Sequence, residues 1–533
     1  MSGGFSSLQG EIKTDLATRT MYSRDASIFE VVPKGVIAPK GTDDLKILIS
    51  LATKLAVQGR PISYTARNGG TDMSGGPLTE GWVLDMSAHF NQMHPVDEYH
   101  HRVWVQGGVM HRDVEKAARA KGLYFAPYTS SHEICGIGGM IGNDASGEKS
   151  LQHGPTSKNI DRLKAVLSDG SEYEFGPLTR KQLALKRAQT DFEGDLYRGM
   201  LKMLEDNKLL IATRHPRTAK NAAGYALWDI WNEDRTVFNL ARLFIGSQGT
   251  LGITTAAELR LVEVAKYSRM IVTPINDLEA LTPVVTTMLS HKPATCEMFD
   301  HYTYELALQY YPKEAQRAKS AAGKRIVVLS IFESDDKQEL EHVSKAALAD
   351  LTKQGFDSAI IDEQRVVDSF LQIRRKSTAM LMDHPQGAYK AEAFIEDTIV
   401  PLEHYSLFLG ELEVMLENYD MKYTYAGHIG SGSLRLIPLV DMSRAESPQR
   451  IMELESRVNT LVLKYGGSIS VDHNDGIIRT PYLTQQYGHH MVGLFTQVKN
   501  MFDPFNIFNP GKKVGGTYAY ALEHIARVDE NAH

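Results

Sequence analysis

The stretch that most restricts what this chain can fold into is Arg67-Asn68-Gly69-Gly70-Thr71-Asp72-Met73-Ser74-Gly75-Gly76. Its glycines stand among short polar residues, directly after an apolar run. Glycine takes φ > 0 at little cost and lets the backbone approach a ligand closely. Successive backbone N–H groups in such a loop form a concave nest for an anion. Arg67 and the Thr71 and Ser74 hydroxyls add donors, which points to a phosphate or pyrophosphate guest. Taken alone, the stretch is equally readable as a solvated loop that needs freedom, because short glycine motifs recur in unrelated chains.

Two further blocks narrow this. Ile137-Gly138-Gly139-Met140-Ile141-Gly142-Asn143-Asp144-Ala145-Ser146-Gly147 is followed by His153-Gly154, and Gly246-Ser247-Gln248-Gly249-Thr250-Leu251-Gly252-Ile253 comes later. Three glycine-rich loops in this order resemble the FAD-binding domain of the vanillyl-alcohol oxidase/p-cresol methylhydroxylase (PCMH) superfamily. The resemblance runs from about Val31 to Val262 and more weakly to Asn509-Pro510-Gly511-Lys512. It implies FAD, with the pyrophosphate on the first loop, the flavin and ribityl along the second, and the adenine end bracketed by the third. The cofactor residues it implies are Arg67, Asn68, Gly69, Gly70, Thr71, Asp72 and Ser74 in the first loop. Around the second they are Pro127, Gly138, Gly139, Asn143, Ala145, Ser146, Gly147 and Gly154. Gly249, Thr250, Gly252 and Ile253 follow in the third, with Asn509 in the tail. No His or Cys lies within Arg67–Gly76, where several relatives attach FAD through a histidine, so non-covalent FAD is expected; Cys135 and His153 near the second loop are the less favoured attachment points. There is no Walker A loop, and Gly136-Ile137-Gly138 lacks the third glycine and the βαβ unit of a Rossmann site.

At 533 residues the chain exceeds one core, so several domains are expected. The pattern predicts an α+β fold; the resemblance makes its first part a PCMH-type FAD-binding domain of two α/β subdomains, followed by an antiparallel-sheet cap domain with helices on one face. The boundaries read as an N-terminal extension over 1–30, the FAD domain over 31–265, the cap over 266–480, and a segment over 481–533 that returns to the FAD domain. Thr42 caps a helix whose Leu45, Leu48, Ile49 and Ala52 recur at helical spacing. Asp169-Gly170 between two apolar runs marks a hairpin. The basic loop Pro216–Tyr225 reads as solvated surface, although the resemblance carries Asn221–Tyr225 toward the cofactor. From Ser268 onward, strands alternate with longer helices.

A net charge of −7 gives no footing for nucleic acid. Two cysteines, Cys135 and Cys296, cannot hold an iron–sulfur cluster, which takes about four thiolates. No apolar run reaches the roughly 20 residues of a membrane span, and Met1-Ser2-Gly3-Gly4 starts no signal peptide. A cytoplasmic protein is expected, with peripheral association at the inner face of a membrane as the alternative.

Three stretches outside the loops carry candidate chemistry. Gln372-Ile373-Arg374-Arg375-Lys376-Ser377-Thr378 lies in a predicted helix. Three cations in a row usually make a solvated face, but a guanidinium binds a carboxylate bidentately. Here the chain is most similar to the D-lactate, glycolate and D-2-hydroxyglutarate dehydrogenases of the superfamily. That resemblance makes Arg374 the substrate-carboxylate clamp, with Arg375 adjacent and Thr378 on the same side, and Lys390 a second anchor. Glu396 and Asp397 read as structural. In the third place, Gly427-His428 with Arg435, and Asp472-His473, match segments that in the family supply two metal-binding histidines, a metal-binding glutamate and a histidine base. His428 and His473 stand, but Arg435 replaces the second histidine and Asp472 the glutamate. The metal is therefore left open, with Arg435 taking the metal's place and pairing with Asp472 or the substrate as one reading, and a structural salt bridge as the other.

The expected activity is FAD-dependent oxidation of a D-2-hydroxy acid of the lactate, glycolate or 2-hydroxyglutarate type to the 2-oxo acid, with His473 as base. Two alternatives stay open: an oxidase or dehydrogenase of a sugar or other alcohol, and a flavin subunit of an electron-transfer complex with a decayed acid site. Partners expected are an iron–sulfur or quinone-linked electron acceptor and a second copy of the chain as a homodimer.

Overall fold

A computed structural model of the chain describes residues 7–384, 388–419 and 421–527. Residues 1–6 of the N-terminal extension and 528–533 of the C-terminal segment lie outside the described residues, Met1–Gly4 among them.

Two four-stranded sheets, together with two two-stranded ribbons, form the N-terminal part. In the first, Gly35–Ala38, Trp82–Asp85 and Tyr64–Arg67 run parallel, with Glu11–Lys13 antiparallel at the edge. The helix Thr42–Val57 buries Leu45, Leu48, Ile49 and Ala52 beneath it, as the periodicity requires. Its N-cap is Gly41, not Thr42. Asp44 accepts from the amides of Gln9, Gly10 and Lys40, so this first-turn acid also fastens the incoming chain. In the second sheet, Arg102–Gln106, Ile253–Arg260, Ile160–Val166 and Glu172–Phe175 are antiparallel neighbours.

The second glycine block departs from its reading as a loop: Ile137–Asn143 is a short helix. The Ile137 and Gly138 amides donate to the carbonyls of Val109 and Gly107. A Cβ on Gly138 would lie 2.7 Å from that Gly107 oxygen. The glycines here let a helix start directly against a neighbouring backbone.

Beyond Tyr267 the strands order as Ala359–Ile361, Tyr267–Ile275, Ile326–Ser334, Thr295–Asp300, Lys422–Gly427, Ser433–Asp441 and Tyr389–Ala391. Every pairing is antiparallel. Helices cover both faces of this sheet rather than one. Along the central strand, Ile326, Val328 and Phe332 pack with the helices Leu281–Ser290 and Lys337–Lys353. Val327, Leu329 and Ile331 pack with His301–Tyr310 and Gln364–Met382. A strand apolar at both alternate sets has no solvent face.

The tail crosses back to the first sheet. Tyr64 donates its amide to the Ile507 carbonyl. The Asn509 side chain donates to the carbonyls of Gly76 (2.9 Å) and Gln248 (2.7 Å) and accepts from Thr65 Oγ1 (3.1 Å). It thus joins the first and third glycine stretches from behind. Asn509→Ala strands these buried groups and should cost on the order of 1–3 kcal/mol; thermal denaturation should show a lowered Tm together with weaker flavin retention.

Candidate active site

The three glycine-rich stretches meet along one cleft. Much of its wall is backbone. A Cβ on Gly69 would sit 2.1 Å from the Ile134 carbonyl oxygen, and Gly70 and Gly249 hold φ of +67°. A Cβ on Gly139 would meet no protein atom and stand in the cleft itself. A side chain at Gly139 would fill a cradle that a long, flat cofactor needs open, while one at Gly69 would collide with the backbone behind it, and the residues present therefore fit FAD.

Of the residues read as cofactor contacts, Asn68, Gly69, Gly70, Thr71, Asp72, Gly138, Gly139, Asn143, Ala145, Ser146, Gly249 and Gly252 line this cleft. Ser74, Pro127, Gly147, Gly154, Thr250, Ile253 and Asn509 stand outside its lining. Arg67 borders it, but its guanidinium is committed elsewhere. It donates to the carbonyls of Tyr22 (3.0 Å) and Arg24 (2.5 Å) and packs over the Tyr22 ring. It anchors the N-terminal segment instead of offering a donor to an anion. Asp72 and Ser74 are also spoken for. The Asp72 carboxylate accepts from the amides of Ser74 and Gly76, the Ser74 hydroxyl and, at 2.6 Å, the Asn143 side chain. Gln248, unnoticed in the sequence, donates to Ser74 and Asn143 and accepts from the Gly476 amide.

Arg435, Asp472 and His473 border the same cleft. His473 Nδ1 lies 2.8 Å from Glu396 Oε2, and Arg479 donates to the other Glu396 oxygen at 2.6 Å. Burial would raise the Glu396 carboxyl, but Arg479 and His473 pull it down to about 2. An anionic Glu396 keeps the imidazole proton on Nδ1 and leaves Nε2 as the acceptor. Burial alone would depress the His473 pKa; the Glu396 and Asp397 carboxylates outweigh it and raise the value. Asp397 accepts from the amides of Val471, Asp472 and His473 and from the Ser470 hydroxyl, so it holds the turn that presents the histidine. Glu396, Asp397 and His473 place ligand atoms within 4.8 Å of one another, but each is already engaged by these hydrogen bonds.

Asp472 is the centre of a second group. One carboxylate oxygen accepts from Lys220 Nζ (2.8 Å) and from the Ser146 hydroxyl; the other lies 3.4 Å from Arg435 and 3.9 Å from His428 Nε2. Burial would raise its pKa, but Lys220, His428 and Arg435 hold it well below the usual carboxylate range. Lys220 belongs to the loop read as solvated surface, yet it is buried.

Glu297, in the middle of the Thr295–Asp300 strand, links the remaining residues. Its carboxylate is 2.8 Å from Arg374 and 2.8 Å from His428 Nδ1. His428 Nε2 and Arg374 Nε are buried with no hydrogen-bond partner among the described residues. Burial pushes the His428 pKa down further than Glu297 raises it. Arg375 turns outward onto Glu148, and Thr378 is half-buried one turn beyond Arg374. Lys390 does not join the cluster. It is exposed on an edge strand, opposite Val440. Val440 is five residues from Arg435 along one strand, roughly 16 Å at 3.3 Å per residue.

Two family models match this chain: "FAD binding domain" over residues 33–176 and "FAD linked oxidases, C-terminal domain" over residues 264–513. The D-2-hydroxyglutarate dehydrogenase of Escherichia coli (strain K12) is 28% identical over 516 residues, 94% of this chain and 50% of that protein. That of Pantoea ananatis is also 28% identical, over 94% of this chain and 50% of its own length, so the chain spans about half the length of these relatives. Glycolate oxidase subunit GlcD of Bacillus subtilis (strain 168) is 26% identical over 93% of this chain and 92% of that protein. Among solved structures, p-cresol methylhydroxylase with substrate bound superposes with a TM-score of 0.68 at 12% identity, covering 95% of this chain and 94% of that one. This is likeness of fold. No helix among the described residues is long and apolar enough to cross a membrane.

The Glu396–His473 pair has a measurable signature. The carboxylate raises the His473 pKa, so the acid limb of kcat/KM should fall above the ordinary histidine value of about 6.5. Glu396→Gln removes that charge and should move the limb to lower pH; a limb that stays in place would assign the titration to another group.

Proposed function

The chain belongs to the FAD-linked oxidases, and on that premise we propose that it oxidises a D-2-hydroxy acid of the lactate, glycolate or 2-hydroxyglutarate type to the 2-oxo acid. The observation that carries this reading is His473 on the wall of the glycine-lined cleft, its Nδ1 fixed by Glu396, with the cationic Arg435 on the same wall. The oxidation removes two electrons and two protons from a CH–OH group. FAD held along the cleft would supply the two-electron acceptor. His473 Nε2 would take the hydroxyl proton, a task that suits an imidazole whose pKa lies near working pH. Arg435, and Arg374 through its unpartnered Nε, would fix the substrate carboxylate and give the acid its orientation. Lys390, remote from this cluster, is given no part.

A second reading is favoured by one relative: the Bacillus protein, matched over 92% of its own length, is named a subunit. On that reading the chain is the flavin component of a complex, passing electrons to an iron–sulfur or quinone-linked protein that it meets in trans; a homodimer is compatible with either.

Anaerobic addition of D-lactate, glycolate or D-2-hydroxyglutarate should bleach the flavin absorbance. A spectrum unmoved by the whole panel but bleached by a sugar or simple alcohol would overturn the acid assignment. Arg374→Lys removes the Nε donor, since lysine lacks the guanidinium's fixed set of N–H groups, and should cost about 1.5–3 kcal/mol, roughly tenfold to a hundredfold in kcat/KM, at unchanged flavin content. Arg375→Lys should leave kcat/KM near that of the parent. Acid precipitation should release the yellow colour into the supernatant, since the reading takes FAD as non-covalent; a yellow pellet would refute that part.

A further inference from the structure

We propose that Lys220 is a built-in cation that closes the Asp472 cluster to divalent metals, so that ammonium and guanidinium charge serve where the resemblance calls for a bound metal ion. The residues present do not fit such an ion. A catalytic zinc site takes about three protein ligands and keeps one position open. Here His428 and Asp472 are the only matching donors, with Arg435 where a second histidine is expected. Both Asp472 oxygens are taken, one by Lys220 and Ser146, the other facing Arg435. A dication reaching this carboxylate would stand beside two positive charges in a buried place, where like-charge repulsion is weakly screened.

Lys220 is held there by construction. The Thr218 hydroxyl donates to the Lys220 carbonyl, the Ala222 amide donates to the Ser470 carbonyl, and the Gly224 amide donates to Asp475. The loop is thereby strapped along the segment that carries Asp472 and His473. The ammonium has three donors; one goes to Ser146 Oγ at 2.6 Å and one to Asp472 Oδ1 at 2.8 Å. Ser146 and Asp472 border the cleft while Lys220 stands behind them. Lys220 is therefore a positioning residue: it neutralises Asp472 from the protein side and leaves Arg435 on the side of the substrate.

The test is a metal count on flavin-loaded protein. The parent, Lys220→Arg and the double variant Lys220→Met/Arg435→His are dialysed against EDTA, then against Zn²⁺ or Mn²⁺ alone, and metal per flavin is measured. The parent and Lys220→Arg should stay at background, and the double variant, with both cations gone and a histidine restored, should rise to one metal per flavin. A stoichiometric metal in the parent overturns the proposal, as does a flavin-loaded double variant that remains metal-free. Should the double variant fail to retain flavin, the parent and Lys220→Arg counts decide it. The count does not depend on which substrate bleaches the flavin, so it stands or falls apart from the assigned reaction.

Discussion

Buried charge in the turn from Asp472 to Gly476 joins the parts of this molecule. Asp472 meets Lys220 and Ser146, and His473 meets Glu396. Asn474 donates to the carbonyls of Asn143 and Gly246, Asp475 pairs with Lys513, and the Gly476 amide donates to Gln248. Five consecutive residues thus reach the second and third glycine stretches, the cap and the tail. Breaking one member of a buried pair leaves its partner uncompensated, at about 3–5 kcal/mol. The turn can hold its position only while the partners from all these segments are in place, and that dependence fixes where the cleft ends and where the candidate base stands.

Much of the scaffold was legible because it follows local periodicity. The helix Lys337–Lys353 and the strands around it follow from the alternation of strand and helix patterns, and the structure adds the cap: Asp336 accepts from the amides of Gln338 and Glu339. The two-sided burial of Ile326–Phe332 was also present in the sequence, as an apolar run without alternation, but alternating strands and helices alone do not say which face each helix takes. The charge partners were not legible. Lys220 and Asp472 are 252 residues apart, and Arg374 finds Glu297 from a helix to a strand. Nothing in a window of sequence distinguishes a buried lysine on a pinned loop from a solvated one.

Arg67 shows the opposite error. An arginine opening a glycine loop has the chemistry of an anion donor, but backbone carbonyls compete for the same guanidinium. Those of Tyr22 and Arg24 win because the N-terminal segment must be fastened somewhere. The loop's capacity for an anion then rests on its backbone and on Thr71. Composition names the available donors; only packing shows which are already used.

The two histidines of the site are driven in opposite directions by their settings. Around them Glu297, Glu396, Asp397 and Asp472 face Arg374, Arg435, Arg479 and Lys220. Burial wins at His428 and lowers its pKa; paired carboxylates win at His473 and raise it. Environments that push neighbouring groups apart are how a single site separates its acid–base roles. Burial shifts His428 toward its neutral form, with Nδ1 on Glu297 and Nε2 without a hydrogen-bond partner among the described residues. His473 is made the stronger proton acceptor. In the proposed reaction, a carboxylate substrate entering this balanced set would add one negative charge near His473 and favour its protonated form, so that binding would strengthen the proposed base at the moment the hydroxyl proton has to leave.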